Sequence, residues 1–309
     1  MRSLARVVAF AFTWRTLAYA GMVLGWLAGS VVRIRRAAVV SAMERAGIGD
    51  PAHAAAAMYR GLGVGVFELL WLAGASPTRR ADVIRDQVVL DDDLAATLRE
   101  ASARGPVILA ASHTGNWELV AYGAARVLSE HGQRLAVVVK PQSVGVFNAF
   151  CMRLRRECGL SLIAPRGAFA EAKRLLAAGD IVAMPIDQVP ERSKHGVSVS
   201  FLGAAAHADR APAALARATG ATLVVVAASH DGRIQRGHLL ATLRGDAAST
   251  AGMTAAAWIS DTTRDATRAL EGFVRARPHS WLWMHRRWRA PFDRGPAHAG
   301  SLVATRHPG

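Results

Sequence analysis

Lysine is almost absent from this chain, occurring only as Lys140, Lys173 and Lys194, although Lys and Arg together number 38 against 23 Asp and Glu. The net charge of +15 therefore rests on arginine, whose permanently charged, forked guanidinium suits anionic partners. Nucleic acid, anionic lipid headgroups and phosphopantetheine carriers all qualify, and an Ala-rich, Lys-poor composition also follows from a GC-rich genome, so charge alone selects none of them. Cysteine is nearly as scarce. Cys151 and Cys158 are spaced seven apart in a predicted helix, on one face yet two turns apart, which excludes a disulfide between them. Without neighbouring His or Asp they make no metal site, so both are read as packing residues. Internal repeats and low-complexity linkers are missing, and so is any Gly-x-Ser-x-Gly nucleophile elbow. With 51% hydrophobic residues over 309 positions, the chain is excluded from the disordered class and can bury a sizeable core.

The apolar residues begin early. Val7–Val32 is interrupted only by Arg15, and its clean part, Thr16–Val32, is at the low edge of bilayer-spanning length. Arg2 and Arg6 precede it, Arg33, Arg35 and Arg36 follow it, and Trp14, Tyr19 and Trp26 are aromatics of the kind found at membrane interfaces. Residues 1–36 are expected to be an uncleaved membrane-anchor helix, spanning or lying in the interface. A secretory signal cut near Ala18-Tyr19-Ala20 and a buried helix of a soluble protein are the alternatives. Residues 37–104 read as helical, with Asp50-Pro51 opening a new helix and Asp91–Asp93 a helix N-terminus rather than a metal site.

From Gly105 short β runs alternate with helices. Strands are predicted at Val107–Ala110, Leu135–Val139, Ser161–Ile163, Ile181–Met184, Thr222–Ala228 and Gly237–Leu243. Helices are predicted over Asn116–Ser129, up to Arg156, over Ala168–Ala178 and over Thr254–Ala276. This alternation predicts an α/β fold, a mostly parallel sheet flanked by helices, for a core at 105–291. Residues 292–309 are expected to be a flexible tail.

The chemistry concentrates in Ser112-His113-Thr114-Gly115-Asn116-Trp117-Glu118. His113 falls just beyond a buried strand, where open α/β sheets build their sites. Gly115 permits a tight turn and Asn116 can cap the following helix. Glu118, in the first helical turn, is placed to fold back on the imidazole, fix its tautomer and strengthen it as a base. Such a base can deprotonate an alcohol attacking an already activated thioester, with no covalent nucleophile.

The segment His113–Glu118 resembles the His-x4-acid motif of the lysophospholipid acyltransferase superfamily. Its Gly-Asn-Trp-Glu filling is similar to the branch of bacterial lipid A lauroyl and myristoyl acyltransferases and phosphatidylinositol mannoside acyltransferases. Arg153–Gly159, Pro165–Ala168, Gly179–Gln188, Gly196–Gly203 and Pro278–Trp288 resemble further segments of that branch in the same order, from the anchor to about Pro291. His207–Pro212 and Ser200 depart from the pattern, which bears on acceptor recognition more than on the base. The resemblance implies a glycerol-3-phosphate acyltransferase-like fold and an O-acyltransferase. It would use acyl carrier protein or coenzyme A thioesters as donor, a lipid A precursor-like, lysophospholipid or glycolipid acceptor, and no metal or redox cofactor. It also implies the bacterial inner membrane, with the catalytic domain facing the cytoplasm and no nucleic acid bound. Carried onto this chain, His113, Glu118 and Asp187 are the catalytic candidates. Gly115, Asn116, Arg155, Arg166 and Gln188 are the substrate-binding ones, with Arg155 and Arg166 on phosphates and the Gly115 or Asn116 N–H at the oxyanion. Trp281, Trp283 and Trp288 with Arg286, Arg287 and Arg289 are placed at the bilayer interface or in a packed final element, and His285 is read as structural. A thioesterase using the same pair, a basic nucleic-acid-binding protein and a membrane scaffold are the competing functions.

Overall fold

Alternate residues of the first predicted strand have to enter opposite cores, and they do. In the computed structural model, which describes residues 1–139, 145–231, 234–246 and 250–289, Val107 and Leu109 pack on one side of the sheet and Ile108 and Ala110 on the other. These residues form β2 (Val107–Ala111). Around it lie β1 (Val88–Leu90), β3 (Leu135–Val138), β4 (Leu160–Ile163), β5 (Ile181–Pro185), β8 (Thr222–Asp231) and β9 (Ile234–Arg244). The seven strands run in the order β1-β9-β8-β2-β5-β3-β4, all neighbours parallel except the β8–β9 pair. One face carries α5 (Pro77–Gln87), α6 (Asp92–Arg104), α7 (Trp117–Ser129) and α8 (Gly145–Glu157). The other carries α9 (Ala168–Ala177), α10 (Ala211–Thr219) and α11 (Ala255–Ala276). Near-continuous apolar strands buried on both faces are what such a sheet requires. Both cysteines are free.

Three strands were not foreseen: β1, which lies within the stretch expected to be helical and pairs with β9, and two strands outside the main sheet. Gly196–Phe201 and Ala204–Asp209 form an antiparallel hairpin, β6–β7, turned by Leu202 and Gly203, both at positive φ. Its first strand alternates Val197, Val199 and Phe201 inward with Ser198 and Ser200 outward. Gly196–Gly203 is therefore a strand and its turn.

Residues 1–36 make two helices and a π-helical turn rather than one helix. After α1 (Arg2–Ala11), the chain breaks at 12–16 and resumes as α2 (Leu17–Trp26), which continues through a π-helical turn, Leu27–Val31. Arg33 and Arg35 then adopt left-handed φ, and α3 (Arg36–Arg45) leaves at 85°. Both α1 and α2 lie along α4 (Pro51–Gly74), which Asp50 caps by accepting from the His53 N–H. Contact is close because α2 and α4 meet through glycine. A Cβ on Gly21 would lie 2.5 Å from the Val64 Cα, and one on Gly63 would strike the Gly21 carbonyl. Trp14 stacks edge-on against Trp71, whose indole N–H donates to the Phe12 carbonyl. Among the described residues one helix, α4, is long and apolar enough to cross a membrane by length and composition, and half of that window is buried within the protein.

Candidate active site

The register of the sheet brings the site together. Ala111 at the end of β2 pairs with Pro185 at the end of β5, and the Ile186 N–H donates to the Ala111 carbonyl. Two residues beyond each strand stand His113 and Asp187. The Asp187 carboxylate is fully buried and accepts three hydrogen bonds: from the His113 backbone N–H at 2.7 Å, from His113 Nδ1 at 2.9 Å and from the Trp281 indole at 3.1 Å. Burial alone would raise its pKa. The charge of His113 and these donors outweigh that and hold it below the ordinary carboxylate range. An ionised carboxylate only accepts, so the proton on the imidazole resides on Nδ1 and leaves Nε2 as the basic atom. For His113 itself burial opposes the charged form, but the Asp187 charge, its hydrogen bond and the charge of Glu118 together raise the pKa.

Glu118 does not fold back on the imidazole. Its carboxylate is taken by the forked guanidinium of Arg155, with Nε at 2.9 Å and Nη2 closing the pair, and by the Tyr122 hydroxyl at 3.1 Å. On α7 its side chain leans toward α8, whose Arg155 is too buried to remain unpaired. The same ion pair occupies Arg155, expected to hold phosphate. Arg166 is exposed and precedes Gly167 at the start of α9. Gln188 is half-buried, and its carbonyl accepts from Arg287.

Gly115 and Asn116 do line the site, but the Gly115 N–H donates to the Ser280 carbonyl at 2.7 Å and is not available to an oxyanion. Asn116 caps α7 by accepting from the Leu119 N–H. Gly115 has φ of +51°, and a Cβ there would stand 2.9 Å from the Ala228 carbonyl group. Gly115→Ala is thus doubly unfavourable. It is expected to displace the loop and lower activity by at least about tenfold, as thiol release beside a thermal melt would show; wild-type activity would contradict the packing.

The C-terminal tryptophans are core, not interface. Trp281 and Trp283 are buried and, with Trp288 and Phe201, make one aromatic cluster. Arg287 is buried as well: it donates to the His207 and Gln188 carbonyls and lies over the Phe201 ring, and burial pushes it down to about 10. Residues 280–282 run beside the site loop, with the Leu282 N–H donating to the His113 carbonyl and Thr114 bridged to Trp281. His285 stands edge-on to His113 at 4.9 Å, and burial pushes it down to about 4, so it is neutral near pH 7. Potential ligand atoms of His113, Asp187 and His285 lie within 4.8 Å of one another. Asp187 already accepts three hydrogen bonds, which suits proton transfer at His113 better than ligation.

His113 opens on a cavity of about 360 Å³. One side is apolar, made by Ala18 and Met22 of α2 and by Met58, Leu62 and Val64 of α4. The other includes Asn116, Gln235 and Glu68, a buried carboxyl whose pKa is raised to about 7 by burial, against the hydrogen bonds of Asn116 and Gln235. Trp281 and Glu68 were not among the sequence candidates. The signal for Glu68 was present: it is the only acid in the apolar stretch 51–74.

A second hydrogen-bonded chain, Ser229–His238–Asp91, has the order of a hydrolase triad, at 2.7 Å for each link. Ser229 and His238 point away from the cavity that His230 and Gln235 line, and His238 packs on Phe273 of α11. With Ser229 buried, the chain ties β8, β9 and the start of α6 together.

A histidine held by a buried carboxylate, at the carboxyl ends of parallel strands and beside a half-apolar cavity, is an arrangement that the acid–base chemistry of either a transferase or a hydrolase can use. A family model decides between them. The chain belongs to the bacterial lipid A biosynthesis acyltransferase family, whose model matches residues 52–290, and it is an acyltransferase. A search of curated proteins finds no match to this chain.

Proposed function

We propose that this acyltransferase moves a fatty acyl group from an acyl carrier protein or coenzyme A thioester to a hydroxyl of a lipid A-like acceptor at a membrane surface, with His113 as general base and Asp187 as its orienting partner. The observation that carries this reading is the His113–Asp187 hydrogen bond at the edge of the half-apolar cavity. His113 Nε2 takes the acceptor's hydroxyl proton as the oxygen bonds to the thioester carbonyl. The backbone N–H groups of Asn116 and Trp117, which have no intrahelical partner at the start of α7, receive the oxyanion. Collapse breaks the carbon–sulfur bond, and the thiolate leaves with the proton returned from Nε2. The step balances without a metal or redox cofactor.

Membrane association has its own support. Phe10, Tyr19, Val23, Trp26 and Val32 are exposed on the N-terminal helices, next to exposed Arg33 and Arg35. Ala18 and Met22 of the same helix line the cavity. Because α1 and α2 are packed along α4, we place this layer on the bilayer surface rather than through it. The cavity then opens beside lipid, on the cytoplasmic face of the inner membrane where acyl thioesters are made.

The test is release of free thiol from acyl-coenzyme A and acyl-carrier donors by detergent-purified protein, with and without bacterial lipid acceptors. His113→Ala is expected to lower acceptor-dependent release by about 10²–10⁴-fold. Release that needs no acceptor yet disappears in the variant would identify a thioesterase, and release unaffected by the variant would overturn the mechanism.

A further inference from the structure

The carboxyl group of Glu68 plays no part in the proton transfer, yet it lies in the wall of the same cavity and is only 2% exposed. It is brought there by α4, the helix that carries the N-terminal layer. Two side-chain amides converge on it. Asn116 Nδ2 donates to Oε2 at 2.7 Å, and Gln235 Nε2 donates to both oxygens at 3.2 Å. Asn116 is the residue whose Oδ1 caps α7, and Gly65 of α4 stands close enough that a Cβ there would reach ordinary contact with the Asn116 amide, at 3.6 Å. Gln235 is 1% exposed, and its Oε1 has no partner among the described residues. Leaving a buried acceptor unmatched is unfavourable, and here it accompanies an amide turned to give its N–H groups to Glu68.

We propose that Glu68 is a positioning residue for acyl transfer. By holding both amides it fixes Asn116, and through the Asn116 cap it fixes the first turn of α7, whose N–H groups face the reacting carbonyl across from His113. The inference rests on the acyl-transfer reading above. Glu68 acts through Asn116 rather than on the reacting atoms. Its loss therefore falls on the rate of the chemical step, because small displacements of the donors weaken transition-state contacts more than ground-state binding.

Kinetics of Glu68→Ala and Glu68→Gln, measured beside wild type and His113→Ala in the thiol-release assay, test this. Glu68→Ala is expected to lower kcat by more than about tenfold, with the KM for acyl-coenzyme A within about threefold and a cooperative melt retained. Glu68→Gln is expected to restore kcat to within about threefold of wild type. Its Oε1 can accept from Asn116, and its Nε2 can donate to Gln235 Oε1 once that amide turns over. A folded Glu68→Ala protein with wild-type kcat, or with its loss confined to KM, overturns the proposal. Glu68→Gln as slow as Glu68→Ala also overturns it, by assigning the effect to charge instead of hydrogen-bonded position. Should Glu68→Ala fail to fold, Gln235→Leu removes one of the two links. A lowered kcat at unchanged KM then supports the proposal, and an unchanged kcat sinks it. If His113→Ala remains active, the acyl-transfer reading itself fails. If His113→Ala is inactive while Glu68→Ala is normal, only the role of Glu68 is lost.

Discussion

Asp187→Asn is expected to lower kcat by about 10²–10⁴-fold while leaving the fold intact. The size of the effect follows from which donors the carboxylate receives. Oδ2 accepts from both the His113 backbone N–H and the Trp281 indole, whereas Oδ1 accepts from His113 Nδ1 alone. An asparagine can satisfy the two fixed donors only by turning its carbonyl oxygen to them, which aims its NH₂ at Nδ1. The imidazole then carries its proton on Nε2, the wrong tautomer for a base. The pH profile gives a second reading of the same pair. A general base at His113 acts only when neutral, and against burial the Asp187 charge raises its pKa above the ordinary 6.5. Wild-type kcat/KM is therefore expected to fall as pH drops through a value above 6.5, and the residual activity of Asp187→Asn to fall only at lower pH. An acidic limb unmoved by the substitution, or near-normal kcat in Asp187→Asn, would show that another group orients the base.

Glu118→Ala is expected to act mainly on stability, by about 3–5 kcal/mol. Arg155 is 13% exposed and Glu118 10%, so removing the carboxylate strands a buried guanidinium between α7 and α8. It also takes from the Tyr122 hydroxyl its acceptor. Replacing both partners with apolar residues, as in Glu118→Leu with Arg155→Met, removes the stranded charge and is expected to cost less than Glu118→Ala alone. Urea or thermal melts of the two single variants and the double variant in one detergent measure this. A double variant whose loss equals the sum of the single ones would mean that the ion pair is not coupled. At temperatures where the variants stay folded, Glu118→Ala is expected to retain more activity than Asp187→Asn.

The contrast between these two acids shows what could be read from the chain. From Val107 to Ile163 the strands, the helix after Asn116 and the end of the next helix were legible within a residue or two, because apolar strands buried on both faces and capped helices write themselves as local patterns. His113 was legible for the same reason, as a histidine just beyond such a strand and just before an Asn-capped helix. Asp187 was named among the candidates, but its pairing with His113 was not read. Glu118 is five positions away and Asp187 is 74, and only the pairing of β2 with β5 brings Asp187 to the imidazole. The strand order of a sheet is not encoded in the strands' own periodicity. Trp281 was hidden likewise, since a Trp-rich segment reads equally as an interfacial belt or as core until its neighbours are known. The β6–β7 hairpin was readable in principle from the alternation of Val197, Val199 and Phe201, but its turn, Leu202-Gly203, lacks the usual Asn-Gly or Asp-Gly signal. The N-terminal apolar run was legible in content but not in shape: Arg33 and Arg35 turn the chain, and α4 supplies the glycine surface that takes α2.

Residues 280–282 lie along His113–Gly115 and follow all seven strands of the sheet in chain order. During synthesis the apolar N-terminal helices, α4 and the His113 loop are made long before the tryptophan that completes the acid–base pair. A growing chain can thus begin to pack these helices while Asp187 still lacks its indole donor and Gly115 its carbonyl partner. The site is therefore completed by a segment made after the whole sheet, so an interrupted product carries His113 without the contacts that hold its loop in register.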